Sequence, residues 1–145
     1  MSLRATKILI ASDHAGFSLK KFLITELDAL GFKTIDLGCS SAEKSFDYPD
    51  FAHKLGAKLK NEFGILICGS GIGISIAANR HKNVRAALCH NAKVAKLARL
   101  HNDANVLCLG ARIVKEKSAL AITKAFLDSK FEGERHERRI AKINP

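Results

Sequence analysis

Gly64-Ile65-Leu66-Ile67-Cys68-Gly69-Ser70-Gly71-Ile72-Gly73 decides how this chain folds. Its first half is a short, unbroken apolar run rich in β-branched residues, as in a strand buried on both faces. Its second half has glycine at every other position, where no side chain keeps the backbone from a ligand. A small-residue helix is expected over 74–79, with its free N–H groups aimed back at the loop. That arrangement stabilises an anion.

The same alternation extends outward in both directions. Upstream, Lys7-Ile8-Leu9-Ile10-Ala11 reads as a buried strand bounded by Ser12-Asp13-His14-Ala15-Gly16. Leu19, Phe22, Leu23, Leu27 and Leu30 then recur at i, i+3, i+4 spacing, which predicts a helix that Gly31 stops. Lys33-Thr34-Ile35-Asp36 is a second short strand. Residues 38–49 are polar and aperiodic, a long loop of the kind that often serves function. Asp50 is the expected cap of a second helix that turns Phe51, Leu55 and Leu59 inward. Downstream, strands are expected over 85–89 and 106–110, and helices over 92–100 and 116–127, before a basic tail of about 129–145. Five strands alternating with helices imply a parallel sheet covered on both faces: a three-layer αβα sandwich, Rossmann-like, with right-handed crossovers. No linker or repeat interrupts the chain, so 1–145 reads as one domain.

The 145 residues, 47% hydrophobic with two prolines, are enough to bury one core. Residues 1–6 lack the apolar core of a secretory leader, and the run after them is too short to be one. Nothing approaches the roughly 18 apolar residues of a membrane span. The expectation is a soluble, cytoplasmic protein with no membrane partner. The formal charge of +10, from 24 basic and 14 acidic residues, attracts anions. No aromatic RNA-binding motif, zinc-finger spacing or Gly-rich basic tract supports nucleic acid as the partner, and surface solvation explains most of the lysines. In the dense cluster Arg135-His136-Glu137-Arg138-Arg139, Arg135 and Arg139 stand four apart. If helical, they form one face and suit a two-pronged phosphate clamp; a solvated basic end is the alternative.

Ligands of such sheets sit at the carboxyl ends of the strands. Four segments are expected on that rim: Ser12-Asp13-His14, the 68–73 loop, the His101-Asn102 helix end and Gly110-Ala111-Arg112. The glycine loop fails three nucleotide or phosphate templates. A dinucleotide fingerprint needs a sixth-position glycine where Ile74 stands, a P-loop needs Gly-Lys-Ser/Thr, and a cysteine phosphatase needs arginine, again at position 74. What remains is a thiol at the tip of a buried strand beside a ring of backbone donors. A helix N-terminus raises the thiolate fraction of such a cysteine. A thiolate base next to an oxyanion hole suits proton abstraction α to a carbonyl, because the enediolate carries its charge on oxygen. Ser70 adds a hydroxyl donor.

The plainer alternatives stand beside these. The alternative for Cys68 is a core thiol with a tight turn after it, and Cys39, Cys89 and Cys108 read as free thiols, small and buried, with no CxxC pair among the four. Asp13 fits a helix cap with an incidental His14, and His101 gains dipole stabilisation at a helix C-terminus. No ligand pair among Cys68, Cys89, His90 and His101 has metal-finger spacing, so no metal is expected.

These stretches, with Asp47-Tyr48-Pro49-Asp50, the run from Ile67 to Asn79, His101-Asn102-Asp103-Ala104-Asn105 and Phe131-Glu132-Gly133-Glu134-Arg135-His136, resemble the type B ribose-5-phosphate isomerases of the ribose/galactose-isomerase family. They occur in the family's order over nearly the whole chain. The resemblance implies interconversion of ribose 5-phosphate and ribulose 5-phosphate through an enediol, without a cofactor. By the family pattern Cys68 takes the proton from the sugar carbon and His101 assists ring opening. Asp13 and the amides of Gly69, Ser70, Gly71, Ile72 and Gly73 hold the sugar oxygens and the enediolate. His14, Arg135 and Arg139 bind the phosphate, Asn102 and Arg112 complete the pocket, and Tyr48 lines it. The family pattern also implies a homodimer with shared active sites, or two such dimers paired into a tetramer. Some members use a loop carboxylate instead of the cysteine; Ser75 stands there, so this chain is similar to the cysteine type. Ser70 replaces a common threonine and keeps the hydroxyl, whereas residues 38–46 match poorly. An isomerase of allose or galactose 6-phosphate, a non-catalytic sugar-phosphate sensor and a basic RNA-binding accessory protein are the alternatives.

Overall fold

Each of the five apolar runs becomes a strand, and the strands join in one parallel sheet. The computed structural model describes residues 7–145; the expectation for residues 1–6 lies outside them. The strands are β1 (Lys7–Ser12), β2 (Lys33–Asp36), β3 (Phe63–Cys68), β4 (Ala86–Leu88) and β5 (Val106–Gly110), in the order β2-β1-β3-β5-β4. β3 is buried along its full length at the centre, where its apolar run placed it. It pairs with β1 from Ile8↔Phe63 to Ser12↔Ile67 and with β5 from Gly64↔Val106 to Cys68↔Gly110. The registers bring the ends of β1, β3 and β5 to one rim.

The connecting helices are α1 (Phe17–Ala29), α2 (Tyr48–Lys58), α3 (Ile72–Ala78), α4 (Ala92–Asn102) and α5 (Glu116–Asp128), followed by α6 (Arg135–Ile140) in the tail. Side chains alternate across the strands with a period of two. Ile8, Ile10, Ile65, Ile67, Leu107 and Leu109 therefore meet α1, α4 and α5 on one face. Leu9, Ala11, Leu66, Cys68, Val106 and Cys108 meet α2 and α3 on the other. This is the expected three-layer sandwich.

The differences are local. α2 starts at Tyr48 with Asp47 at the cap position, so Asp50 lies in the first turn and is not the cap. Pro49 explains the earlier start, because its fixed φ suits a first helical turn. α3 begins at Ile72, two residues early, since Gly71 at φ +80° ends the loop at once. β4 is limited to Ala86–Leu88 and, among the described residues, is an edge strand paired only to β5. Leu30 caps α1 from outside its apolar face and is exposed. Two buried cations are matched within the fold. Lys20 Nζ donates to Asp36 Oδ1 at 2.8 Å and to the Cys39 carbonyl at 2.6 Å, tying α1 to the loop after β2. Arg99 Nη1 reaches Asp103 Oδ1 and the Ala104 carbonyl, both at 2.7 Å, while its guanidinium lies 4.7 Å from the centre of the Phe63 ring.

Candidate active site

The chain leaves β1 for β2 on one side and then returns to place β3 on the other. Connections diverge at that switch point and open a crevice at the ends of β1 and β3. Cys68 is the last residue of β3 and only 4% exposed. Its Sγ accepts the Gly71 N–H at 3.2 Å. Gly71 reaches that position at φ +80°, and a Cβ there would lie 2.9 Å from the Leu109 carbonyl carbon and 3.0 Å from the Gly110 nitrogen. Only glycine satisfies both demands. Ser70 Oγ accepts the Ile72 N–H at 3.1 Å, which tightens the loop and leaves the hydroxyl hydrogen for a ligand.

Asp13 is buried beside this loop. Its N–H donates to the Ile67 carbonyl at 3.2 Å, and its Oδ1 accepts the Gly16 N–H at 3.2 Å. It is therefore not the cap of α1, which Gly16 occupies; Gly16 backs directly onto Ile67 with no room for a side chain. Arg112 lays its guanidinium over Gly69, with Nη1 2.8 Å from where a Cβ would be, and the Tyr48 ring covers Gly73 in the same way, with Cε1 at 2.6 Å. Asp13, Tyr48, Cys68, Ser70 and Arg112 thus surround a cleft of about 580 Å³ with Gly69, Ile72 and Gly73. Ile113 also lines it. Ile113 is the lining residue that the expected set lacks, although its position on the rim after β5, next to Arg112, was signal enough to include it. His14 stands just outside the lining, and its Nδ1 accepts the Phe46 N–H at 3.0 Å, anchoring the 38–47 loop over the β1 end.

The other thiols behave as core. Burial pushes Cys89 up to about 11. Burial raises Cys108 further still, with smaller contributions from Cys68 and Cys89.

His101 and Asn102 are not on this rim, which corrects the expectation. After a strand, a right-handed crossover sends its helix back antiparallel, so the C-terminus of α4 arrives where β5 begins. Val106, the first residue of β5, pairs with Gly64, whereas Cys68 pairs with Gly110 at the far end. Four residue steps of about 3.3 Å separate the two levels by ~13 Å along the strands. Asn102 lines a different groove with Arg85 and Ala86. The tail joins His101 there: the Glu132 N–H donates to the Leu100 carbonyl at 3.0 Å, and the His101 and His136 rings stack 4.5 Å apart at 14°. Burial first, then Arg135 and His101, hold His136 below the ordinary histidine range, and Glu132 opposes them. Arg135 and Arg139 do lie in a helix, one turn apart and exposed. The described residues therefore form two separate groups: a thiol cleft on one rim, and a cluster of histidines and arginines toward the other.

A parallel sheet with a thiol, an aspartate and a loop of amide donors in its switch-point crevice defines a doubly wound α/β protein built to hold a small, oxygen-rich ligand. The family model described as Ribose/Galactose Isomerase matches residues 8–143. The chain belongs to that family. It is 47% identical over 140 residues to a probable ribose-5-phosphate isomerase B of Mycoplasma genitalium, covering 94% of this chain and 92% of the relative. The structure of ribose 5-phosphate isomerase B from Anaplasma phagocytophilum superposes with a TM-score of 0.93 at 47% identity, covering 98% of this chain and 99% of that one. The ribose-5-phosphate isomerase B structure from Mycoplasma genitalium with bound ribulose-5-phosphate gives 0.88 at 45% identity, covering 94% and 93%.

Proposed function

We propose that this protein is a type B ribose-5-phosphate isomerase, a cytoplasmic enzyme of one domain that interconverts ribose 5-phosphate and ribulose 5-phosphate. The observation that carries the reading is Cys68 Sγ at the floor of the cleft, beside the amides of the 69–73 loop. Family membership and the relative with bound ribulose-5-phosphate support the substrate.

In the proposed reaction the Cys68 thiolate removes the proton from C2 of the open-chain aldose. The C–H electron pair becomes the C1–C2 double bond, and negative charge passes to the carbonyl oxygen at C1. Amide donors of the loop and the Ser70 hydroxyl stabilise that enediolate. The C2 hydroxyl gives its proton to the negatively charged C1 oxygen, its O–H electron pair becomes the C2 carbonyl, and the C1–C2 double-bond pair takes the proton back from sulfur at C1. Carbon is reduced and oxidised within one molecule, so the balance needs no external electron carrier. Asp13 holds sugar hydroxyls, while Tyr48 and Arg112 close the cleft. His101, which assists ring opening, and Asn102, with the phosphate ligands Arg135 and Arg139, come from a second copy of the chain in a homodimer. His14 completes the phosphate site from beside the thiol cleft.

The test is an isomerisation assay on ribose 5-phosphate without added cofactor, run alongside allose and galactose 6-phosphates. A serine hydroxyl is a far weaker acid than a thiol, so Cys68→Ser is expected to lower pentose turnover by about 10²–10⁴-fold while substrate still binds. Full activity in the variant overturns the role of Cys68. Turnover of a hexose phosphate alone changes the substrate and keeps the mechanism. Phosphate-ligand binding with no turnover of any sugar means the protein is a sensor.

A further inference from the structure

We infer that His101, Glu132 and His136 form a binding site for one divalent transition-metal ion of the zinc class. Three observations converge. First, His136 is nine-tenths buried, yet its Nε2 has no hydrogen-bond partner among the described residues. A buried nitrogen left in that state calls for an occupant. Second, that atom faces Glu132 Oε1 at 3.6 Å, and His101 Nε2 faces the same oxygen at 3.4 Å. Both separations exceed the roughly 2.7–3.2 Å of an N–H···O bond. They approach the ~3.3 Å edge between neighbouring ligand atoms around a tetrahedral zinc with bonds of about 2.0–2.1 Å. Third, the rings are held for the purpose. Their near-parallel stack sets both Nε2 atoms toward one carboxylate, and all three ligand atoms lie within 4.8 Å of one another.

The donor set selects the metal. Two imidazoles and one carboxylate suit zinc and its neighbours in the first transition row, whereas magnesium and calcium prefer oxygen alone. The backbone is already anchored, since Glu132 is hydrogen-bonded to Leu100 beside His101, and the His136 N–H donates to the Gly133 carbonyl at 3.1 Å. Little ordering remains for the metal to bring about. His101 and Glu132 are 40% and 51% exposed, which leaves an entry path and a fourth position for water. A bound ion occupies the Nε2 lone pair of His101. It therefore suppresses turnover, a consequence that rests on the isomerase reading, whereas binding itself does not.

The experiment uses untagged, chelator-dialysed protein titrated with zinc by calorimetry, and with cobalt(II) by visible absorption, which reports tetrahedral coordination. One ion per chain is expected, with the cobalt bands of a four-coordinate site. Glu132→Gln, an exposed and conservative change, is expected to weaken zinc at least about tenfold. Cys68→Ser and His53→Ala, which remove the other thiol and imidazole candidates, should leave the affinity unchanged. Zinc should inhibit the wild type reversibly on adding EDTA and leave Glu132→Gln turnover untouched. Failure to bind, binding indifferent to Glu132→Gln, or binding lost in Cys68→Ser or His53→Ala overturns the inference. Stoichiometric, Glu132-dependent binding with no effect on turnover upholds the metal site and refutes the assigned role of His101.

Discussion

Cys68 and His101 belong to one reaction in the proposed function, yet Cys68 ends β3 on one rim while His101 ends α4 toward the other, and the two rims lie ~13 Å apart along the strands. A site that uses both must borrow one of them from another copy. This makes a quantitative prediction for mixed oligomers. Cys68→Ser alone and His101→Asn alone each remove one proton-transfer group, so each homodimer should retain about 1% of wild-type activity or less. When equal amounts of the two variants are unfolded and refolded together, random pairing yields about half of the dimers as heterodimers. In each heterodimer one site collects both lesions, and the other combines an intact Cys68 with an intact His101. One of two sites in half of the dimers is wild type, so the mixture should recover about one quarter of wild-type turnover per chain. A pairing of dimers into tetramers leaves that fraction unchanged. The assay is pentose turnover on the refolded mixture, with mass spectrometry confirming heterodimers. Heterodimers at the expected fraction with activity still near 1% would refute a site shared between chains.

Two further predictions concern packing and titration. In Gly71→Ala, the positive φ costs about 1–2 kcal/mol, and the clash with the Leu109–Gly110 backbone about 1–3 kcal/mol more. At about 3 °C per kcal/mol for a chain of this size, the Tm should fall by ~6–15 °C. Gly31→Ala, also at positive φ but with nothing among the described residues near the added Cβ, isolates the strain and should lose much less; equal losses would mean the close approach at Gly71 does not matter. For the thiols, burial lifts Cys89 from 9.0 to about 11. At neutral pH its thiolate fraction is then about a hundredfold lower than that of an ordinary cysteine, so alkylation followed by peptide mapping should modify Cys89 at least that much more slowly. The shift is upward, so the unfolded chain ionises first. The stability linked to this thiol is present below pH 9 and lost as pH rises from 9.0 toward about 11.

Local pattern carried most of the fold. The unbroken apolar run of β3, the i, i+3, i+4 leucines of α1 and the glycine at every other position of the 69–73 loop each declare their conformation within a few residues. The errors at Asp50, Leu30 and the start of α3 are shifts of element ends, where Pro49 or a glycine at positive φ outweighs periodicity. The thiol cleft was legible for the same reason, since a rim follows directly from the end of a strand. The placement of His101 was not. Its chain neighbourhood resembles that of a rim loop, and only the antiparallel return of α4 shows that a helix end and a strand end on adjacent elements face opposite ways.

What the sequence determined by itself is therefore the set of elements, the parallel sheet and the chemical identity of the thiol loop, because these depend on spacings of two, three or four residues. What only the tertiary structure decided is which groups share a space: Asp13 held against Ile67, Arg112 laid over Gly69, and His101, Glu132 and His136 brought to one point across more than thirty residues. Those meetings are set by strand register and crossover direction, which relate residues far apart in the chain and leave no period in the sequence.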